Sequence, residues 1–305
     1  MTRVFVTGAT GFLGSRVFAA LRDRGISVVA LDRSGSLRQK TRPGDGVETV
    51  KADLLQPELY RDALAKTDVV LHLAALTGRA TEQEHFRVNA QGAETLLEQC
   101  RLAGVQRILF VSSIATKFPD KSRYYYAQAK LRAEEAVRNS GLRFTIIRPT
   151  IILGRGSPIL TALEKLATLP VIPIFGNGRA LVQPIYVDDL VVYILEILEQ
   201  DRFRNETLEL GGPAALTIEE LLQKIRRARR GGDTSKGLSL HIPLGLLLPL
   251  LGAAESLGLG TLLPISVGQL SSFRYDGTIE PNGLHETRQK SLRNVQEMLA
   301  LSLAA

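Results

Sequence analysis

Tryptophan is absent, cysteine occurs once as Cys100, and aromatic residues make up only 6% of the 305-residue chain. A single thiol excludes an internal disulfide and any cysteine-based metal site, and it suits a reducing compartment. With Leu96 and Leu97 beside it on one helical pattern, Cys100 reads as a buried thiol. So few rings leave the core to Leu, Ile, Val and Ala. The four histidines are scattered and suggest no metal centre. The apolar run at the N-terminus is too short for a signal peptide, so a cytoplasmic protein is expected. No zinc-finger or RNA-module pattern accompanies the net charge of +7, so nucleic acid is not expected as a partner. The densest cationic run is Arg226, Arg227, Arg229 and Arg230. It reads as a solvated helix face, or alternatively as attraction for an anionic substrate, a membrane surface or an acidic partner.

What is present is a regular alternation. Apolar runs at 4–7, 28–31, 47–51, 69–73, 108–111 and 144–147 alternate with helical patterns at 12–24, 58–65, 82–103 and 123–140. Such alternation means βαβ units and a parallel sheet, whose strands are covered on both faces and so read as unbroken apolar runs. Past Arg148 the pattern changes. Pro and Gly punctuate 154–184, and helices are expected at 188–199, 218–229 and 289–301, with a short strand-like run at 207–210. The expected organisation is a dinucleotide-binding domain over 1–153, recruiting about 184–212, and a smaller, discontinuous substrate region over 154–305. The stretch 238–266 is Leu-rich and nearly uncharged, interrupted by Pro243, Pro249 and Glu255. These breakers argue against a spanning helix and favour a buried helical lid, with a peripheral membrane or membrane-complex contact as the alternative.

The sharpest local signal is the glycine loop Gly8-Ala9-Thr10-Gly11-Phe12-Leu13-Gly14, which follows the first strand and opens the first helix. Gly8 permits the tight turn, Gly11 lets backbone approach a pyrophosphate at the helix N-terminus, and Gly14 allows close helix–strand packing. The fold class is therefore α/β, a Rossmann-type doubly wound parallel sheet. Asp32 ends the second strand, where an acid meets the adenosine ribose hydroxyls and favours NAD. Arg33, next to it, leaves NADP open, because a guanidinium there can pair with a 2′-phosphate. Asp53, before Leu54, is placed either to meet the adenine amine or to cap a helix.

Several segments together resemble the extended short-chain dehydrogenases/reductases, the NAD-dependent epimerase/dehydratase superfamily. They are TGATGFLG (7–14), Asp32, ADL (52–54), HLAA (72–75), the segment holding Asn89, VSS (111–113), YAQAK (126–130), RPTIILG (148–154) and QPIYVDDL (183–190). The resemblance implies that Leu73, Ala74, Ala75 and Pro149 line the cofactor, that Asn89 holds the site's backbone, and that Tyr126, Lys130 and Ser113 are catalytic. Tyr126 and Lys130 lie four apart and so share a helix face, whereas Tyr124 and Tyr125 have Gln128 and Ala129 at that spacing. Lys130 is also expected on the nicotinamide ribose, with its ammonium and the cofactor charge favouring the Tyr126 phenolate. The family's hydroxyl falls on Ser113 or, in the other register, on Ile114. Ser113 is the choice.

The residues after that hydroxyl are Ile114 and Ala115, where sugar-nucleotide dehydratases of the superfamily carry acids, so dehydration is disfavoured. Thr150 and Ile151 stand where many epimerases have Asn. The expected function is an NAD(P)-dependent oxidoreductase moving hydride between the cofactor and a hydroxyl/carbonyl substrate, a small molecule. One alternative is a sugar-nucleotide epimerase, with Arg155 or Arg179 as a diphosphate clamp. The other is a non-catalytic cofactor-binding subunit, since the Leu/Pro-rich tail resembles the hydroxysteroid dehydrogenase-like and complex I accessory subunit-like branch. A homodimer through the long helices is also compatible with the resemblance.

Overall fold

The apolar runs become strands in a computed structural model that describes residues 2–37, 41, 45–230, 237–245, 247–249, 270 and 272–304. The chain divides into two units. The first comprises Met1–Ser113, Tyr126–Arg148 and Leu190–Leu208, and the second Ile114–Tyr125, Pro149–Asp189 and Glu209–Ala305.

A seven-stranded sheet organises the first unit. Its strands are β1 (Arg3–Thr7), β2 (Ser27–Leu31), β3 (Val47–Val50), β4 (Val69–His72), β5 (Arg107–Val111) and β6 (Arg143–Pro149), in the order β3-β2-β1-β4-β5-β6. The seventh strand, Glu206–Leu210, lies outside β6, as the run at 207–210 suggested. All pairings from β3 to β6 are parallel. The order reverses direction between β1 and β4, so the crevice at their carboxyl ends is the topological switch point where such sheets take ligands.

The helices are α1 (Phe12–Asp23), α2 (Arg61–Leu64), α3 (Glu82–His85), α4 (Gly92–Ala103) and α5 (Tyr125–Arg138). Alternate strand residues Phe5, Val29, Val70, Ile108, Phe110, Phe144 and Ile146 form one core with Leu64 of α2, Leu96, Leu97 and Cys100 of α4, and Val137 of α5. Cys100 is fully buried, and desolvation pushes its thiol up to about 12. It is therefore protonated at neutral pH and chemically quiet.

Between α3 and α4 the backbone widens into a π-helix, Phe86–Gln91, so 82–103 is one helical run with an expanded turn rather than a uniform helix. The expansion presents Asn89 for a tertiary contact described below. Expanded turns of this kind occur frequently at functional sites.

The second unit holds β7 (Ile152–Leu153), α6 (Pro158–Ala167), β8 (Ile172–Phe175), β9 (Leu181–Val182), β10 (Ile185–Tyr186), the start of α7 (Val187–Glu199), β11 (Glu206–Leu210) from Glu209 onward, β12 (Leu216–Thr217), α8 (Ile218–Arg229), β13 (Ser239–Ile242), α9 (Gly283–Arg288) and α10 (Val295–Leu303). Three expectations are corrected here. The stretch 238–266 is not a buried helical lid throughout: Ser239–Ile242 is a strand paired with β8, and Leu238 and Leu240 are 69% and 58% exposed, whereas the helical residues that follow include buried Leu244 and Leu248. Most of the remainder of that stretch lies outside the described residues. Arg226 is not on a solvated face. It is 5% exposed, and its guanidinium donates to the Ala167, Leu169 and Pro170 carbonyls at the end of α6. The last helix starts at Val295 rather than near 289, because Asn294 caps it in a capping box with Glu297. Among the described residues no helix is long and apolar enough to cross a membrane.

Candidate active site

Three loops of the first unit meet at the switch point: the glycine turn after β1, the segment after β4 and the end of β5. Gly8 has φ +73°, and a Cβ there would lie 2.6 Å from the Ala74 nitrogen. A Cβ on Gly14 would come within 1.9 Å of the Gly8 carbonyl oxygen. Both glycines are thus required by close backbone approach, not only by turn conformation. Gly11 is the N-cap of α1 and provides no side-chain cap. The first turn of α1, Phe12-Leu13-Gly14, consequently keeps the donor character that suits a diphosphate. Thr10 is exposed beside it. These features fit a dinucleotide.

β1 and β4 are tied at their ends. The Thr7 hydroxyl lies 2.6 Å from His72 Nδ1 and accepts from the Ala74 amide at 3.2 Å. His72 is 1% exposed, stacks on Phe110, and has a buried Nε2 with no hydrogen-bond partner. Burial, reinforced by the Lys130 charge, lowers its pKa to about 3. It is a neutral packing residue at neutral pH. Leu73 and Ala74 are half-buried and Ala75 is exposed. Asn89 clamps the next residue, accepting from the Leu76 amide at 2.7 Å and donating to the Leu76 carbonyl at 2.9 Å.

At the end of β2, Asp32 is buried and folds the following loop onto itself. It accepts from the Ser34 amide and hydroxyl and, at 2.7 Å, from the Leu37 amide. Burial raises its pKa, but the bonds from Leu37, Ser34 and Gly35 outweigh this and hold it below the usual carboxylate value. Arg33 is exposed. Asp53 neither caps a helix nor stands free: its carboxylate accepts from the Leu55 amide at 3.0 Å, a local turn, and Leu54 is buried. Pro149 ends β6 and belongs to the second unit, so only Arg148 of that pair falls with the other site residues.

The Ser113 hydroxyl hydrogen-bonds the Tyr126 phenol. Ile114, the alternative register, is buried and belongs to the second unit. Desolvation pushes the Tyr126 phenol up to about 12, partly offset by Ser113. Lys130 is 1% exposed, donates to the Val111 carbonyl at 2.5 Å and sits 4.2 Å from the Phe110 ring centroid. Desolvation lowers its pKa to about 7, against the opposing charge of Glu134. The expectation of an acidified phenol is therefore reversed in the chain itself: burial disfavours the charged form of both groups.

Two residues near the site escaped the sequence reading. His85 is buried, edge-on to the Tyr126 ring at 6.1 Å, and close to Asn89. Glu134 is fully buried and receives Ser112, Arg148 and Arg138. Its place one turn beyond Lys130 and two beyond Tyr126 was a visible signal, but a glutamate on a helix ordinarily reads as solvated. Of the two arginines considered for a diphosphate clamp, Arg155 donates to the Ala304 carbonyl and Arg179 is exposed.

The strand order and the glycine turn at the switch point are those of a dinucleotide-binding α/β protein. The model of the NAD dependent epimerase/dehydratase family matches residues 4–211, and the chain belongs to that family, with NAD as its dinucleotide. Ceramide reductase of Caulobacter vibrioides is 37% identical over 188 residues, 61% of this chain and 57% of that protein. The mitochondrial NADH dehydrogenase (ubiquinone) 1 alpha subcomplex subunit 9 of Arabidopsis thaliana is 33% identical over 231 residues, 72% of this chain and 56% of that protein. The solved structure of MoeE5 in complex with UDP-glucuronic acid and NAD superimposes with a TM-score of 0.73 at 22% identity, covering 99% of this chain and 97% of that one, a likeness of fold. The chain spans a little over half the length of the curated relatives it matches.

Proposed function

We propose that the chain is an NAD-dependent oxidoreductase that reduces a carbonyl, or in reverse oxidises the alcohol, through Ser113, Tyr126 and Lys130. The observation that carries this reading is the Ser113–Tyr126 hydrogen bond at the end of β5, with Lys130 one helical turn further along α5. When bound, the dinucleotide supplies or accepts the hydride. Ser113 orients the substrate oxygen beside the phenol. Tyr126, held protonated by burial, gives its proton to that oxygen as negative charge develops there, a contribution worth roughly 10²–10⁴-fold. The Lys130 ammonium then stabilises the phenolate left behind. A neutral phenol at pH 7 suits the reducing direction, and the reductase name of the Caulobacter relative agrees with it. Gly8, Thr10, Gly11, Phe12, Leu13 and Gly14 would hold the diphosphate, and Asp32 with Arg33 the adenosine ribose. Asp53 and Leu54 would flank the adenine, while Leu73, Ala74, Ala75 and Asn89 line the remainder.

The plant respiratory-complex relative favours a second reading, a cofactor-holding subunit without turnover. The test is NADH oxidation against a panel of ketones and aldehydes, with wild type and Tyr126→Phe. Turnover lost in the variant supports the reductase. Tight NADH binding with no turnover by either protein supports the subunit. Equal turnover by both removes Tyr126 from the mechanism.

A further inference from the structure

Glu134 is a carboxylate with no exposed surface, set on the face of α5 that carries Tyr126 and Lys130. Its Oε1 accepts from the Ser112 hydroxyl at 2.6 Å and from Arg148 Nε at 2.9 Å. Its Oε2 accepts from Arg148 Nη2 at 2.6 Å and from Arg138 Nη2 at 2.8 Å. These bonds join the end of β5, β6 and α5 at one point.

Stability alone is a weak reason for such a group. Burying an ion costs several kcal/mol before pairing, and replacing a buried ion pair by apolar residues of similar volume is often neutral or stabilising. Apolar packing cannot, however, fix direction as short, charge-assisted hydrogen bonds do. Direction matters here because Ser112 immediately precedes Ser113, and Ser113 meets Tyr126. One carboxylate thus holds the chain on both sides of that contact: β5 through Ser112, and α5 through its own backbone.

We propose that Glu134 is a positioning residue that locks the Ser112–Ser113 end of β5 to α5, so that Ser113, Tyr126 and Lys130 keep their mutual geometry. This rests on the reductase reading for its catalytic meaning, but the lock itself is a property of the chain. The opposing effect of Glu134 on the desolvated Lys130 is consistent with it.

The test uses the full chain labelled with 13Cζ-tyrosine, the Tyr126 resonance being assigned by its loss in Tyr126→Phe. Ser112→Ala removes the bond to β5 and leaves those to Arg138 and Arg148, so it is expected to fold even if Glu134→Ala does not. The Tyr126 resonance should shift in Ser112→Ala, and NADH binding, read from nicotinamide fluorescence, should weaken severalfold while the thermal midpoint changes by only a few degrees. Where Glu134→Ala folds, adding Ser112→Ala to it should produce no further shift, because the two act through one contact. A Tyr126 resonance unchanged by Ser112→Ala, or additive shifts in the double variant, would overturn the proposal. If the wild type binds no NADH, the reductase reading fails, while the resonance still decides the lock.

Discussion

The Ser113 hydroxyl and the Tyr126 phenol share a hydrogen bond, joining the end of one strand to the first turn of the helix that follows. Tyr126→Phe deletes the proton and keeps the ring, including its edge contact with His85. Turnover should fall by roughly 10²–10⁴-fold. The NADH dissociation constant should stay within a factor of about two, because a group acting in the transition state adds little to ground-state binding. Steady-state kinetics and fluorescence titration of the same preparation check both halves.

Asp32 closes its own loop, accepting from Ser34 and Leu37, and in the proposed function it also meets the adenosine ribose. Asp32→Ala should weaken NADH by more than NADPH, with a loss of about 1–3 kcal/mol for the removed charged acceptor. Parallel titrations with the two dinucleotides measure the ratio. Equal losses would assign Asp32 to the loop alone and shift discrimination to Arg33.

Gly14 and Gly25 provide an internal control on the glycine argument. Gly14 lies in the first turn of α1 and Gly25 just past its C-cap, yet a Cβ on Gly14 collides with the Gly8 carbonyl, whereas nothing lies within 4 Å of one on Gly25, whose φ is +66°. Gly25→Ala should cost only about 1 kcal/mol of conformational strain. Gly14→Ala should force the turn apart and abolish NADH binding. Thermal unfolding and NADH titration of the two variants distinguish local strain from a closed backbone approach.

His72 makes stability pH-dependent. Its folded pKa of about 3 lies below the ordinary 6.5 because of burial and the Lys130 charge. The unfolded chain therefore binds a proton that the folded one refuses between those values, so stability falls as pH drops from about 6.5 toward 3 and is unaffected by this group above 6.5. Urea unfolding at pH 5.0 and 7.5 should show a larger acid loss for wild type than for His72→Asn, the pH values being about one and a half units below and one unit above the free histidine value.

The sheet was legible because strands covered on both faces must be apolar throughout, and the runs through Val29, Val70, Ile108 and Ile146 meet that need. The glycine loop was legible because its mechanism fixes spacing. The expanded turn at Asn89 was not, since a π-turn changes the backbone without breaking the local pattern of side chains. Arg226 misled for another reason. A cation in a cationic run reads as solvated, and only the folded chain brings it the carbonyls of Ala167, Leu169 and Pro170. Glu134 escaped in the same way, its partners Ser112 and Arg148 coming from two different strand ends.

The central claim is that the turn from Gly8 to Gly14 seats NAD. Calorimetric titration of the folded chain with NADH tests it most directly. Saturable binding at one site per chain, lost in Gly14→Ala, is expected. A folded wild-type chain that gives no saturable heat with NADH up to millimolar concentration would contradict the account.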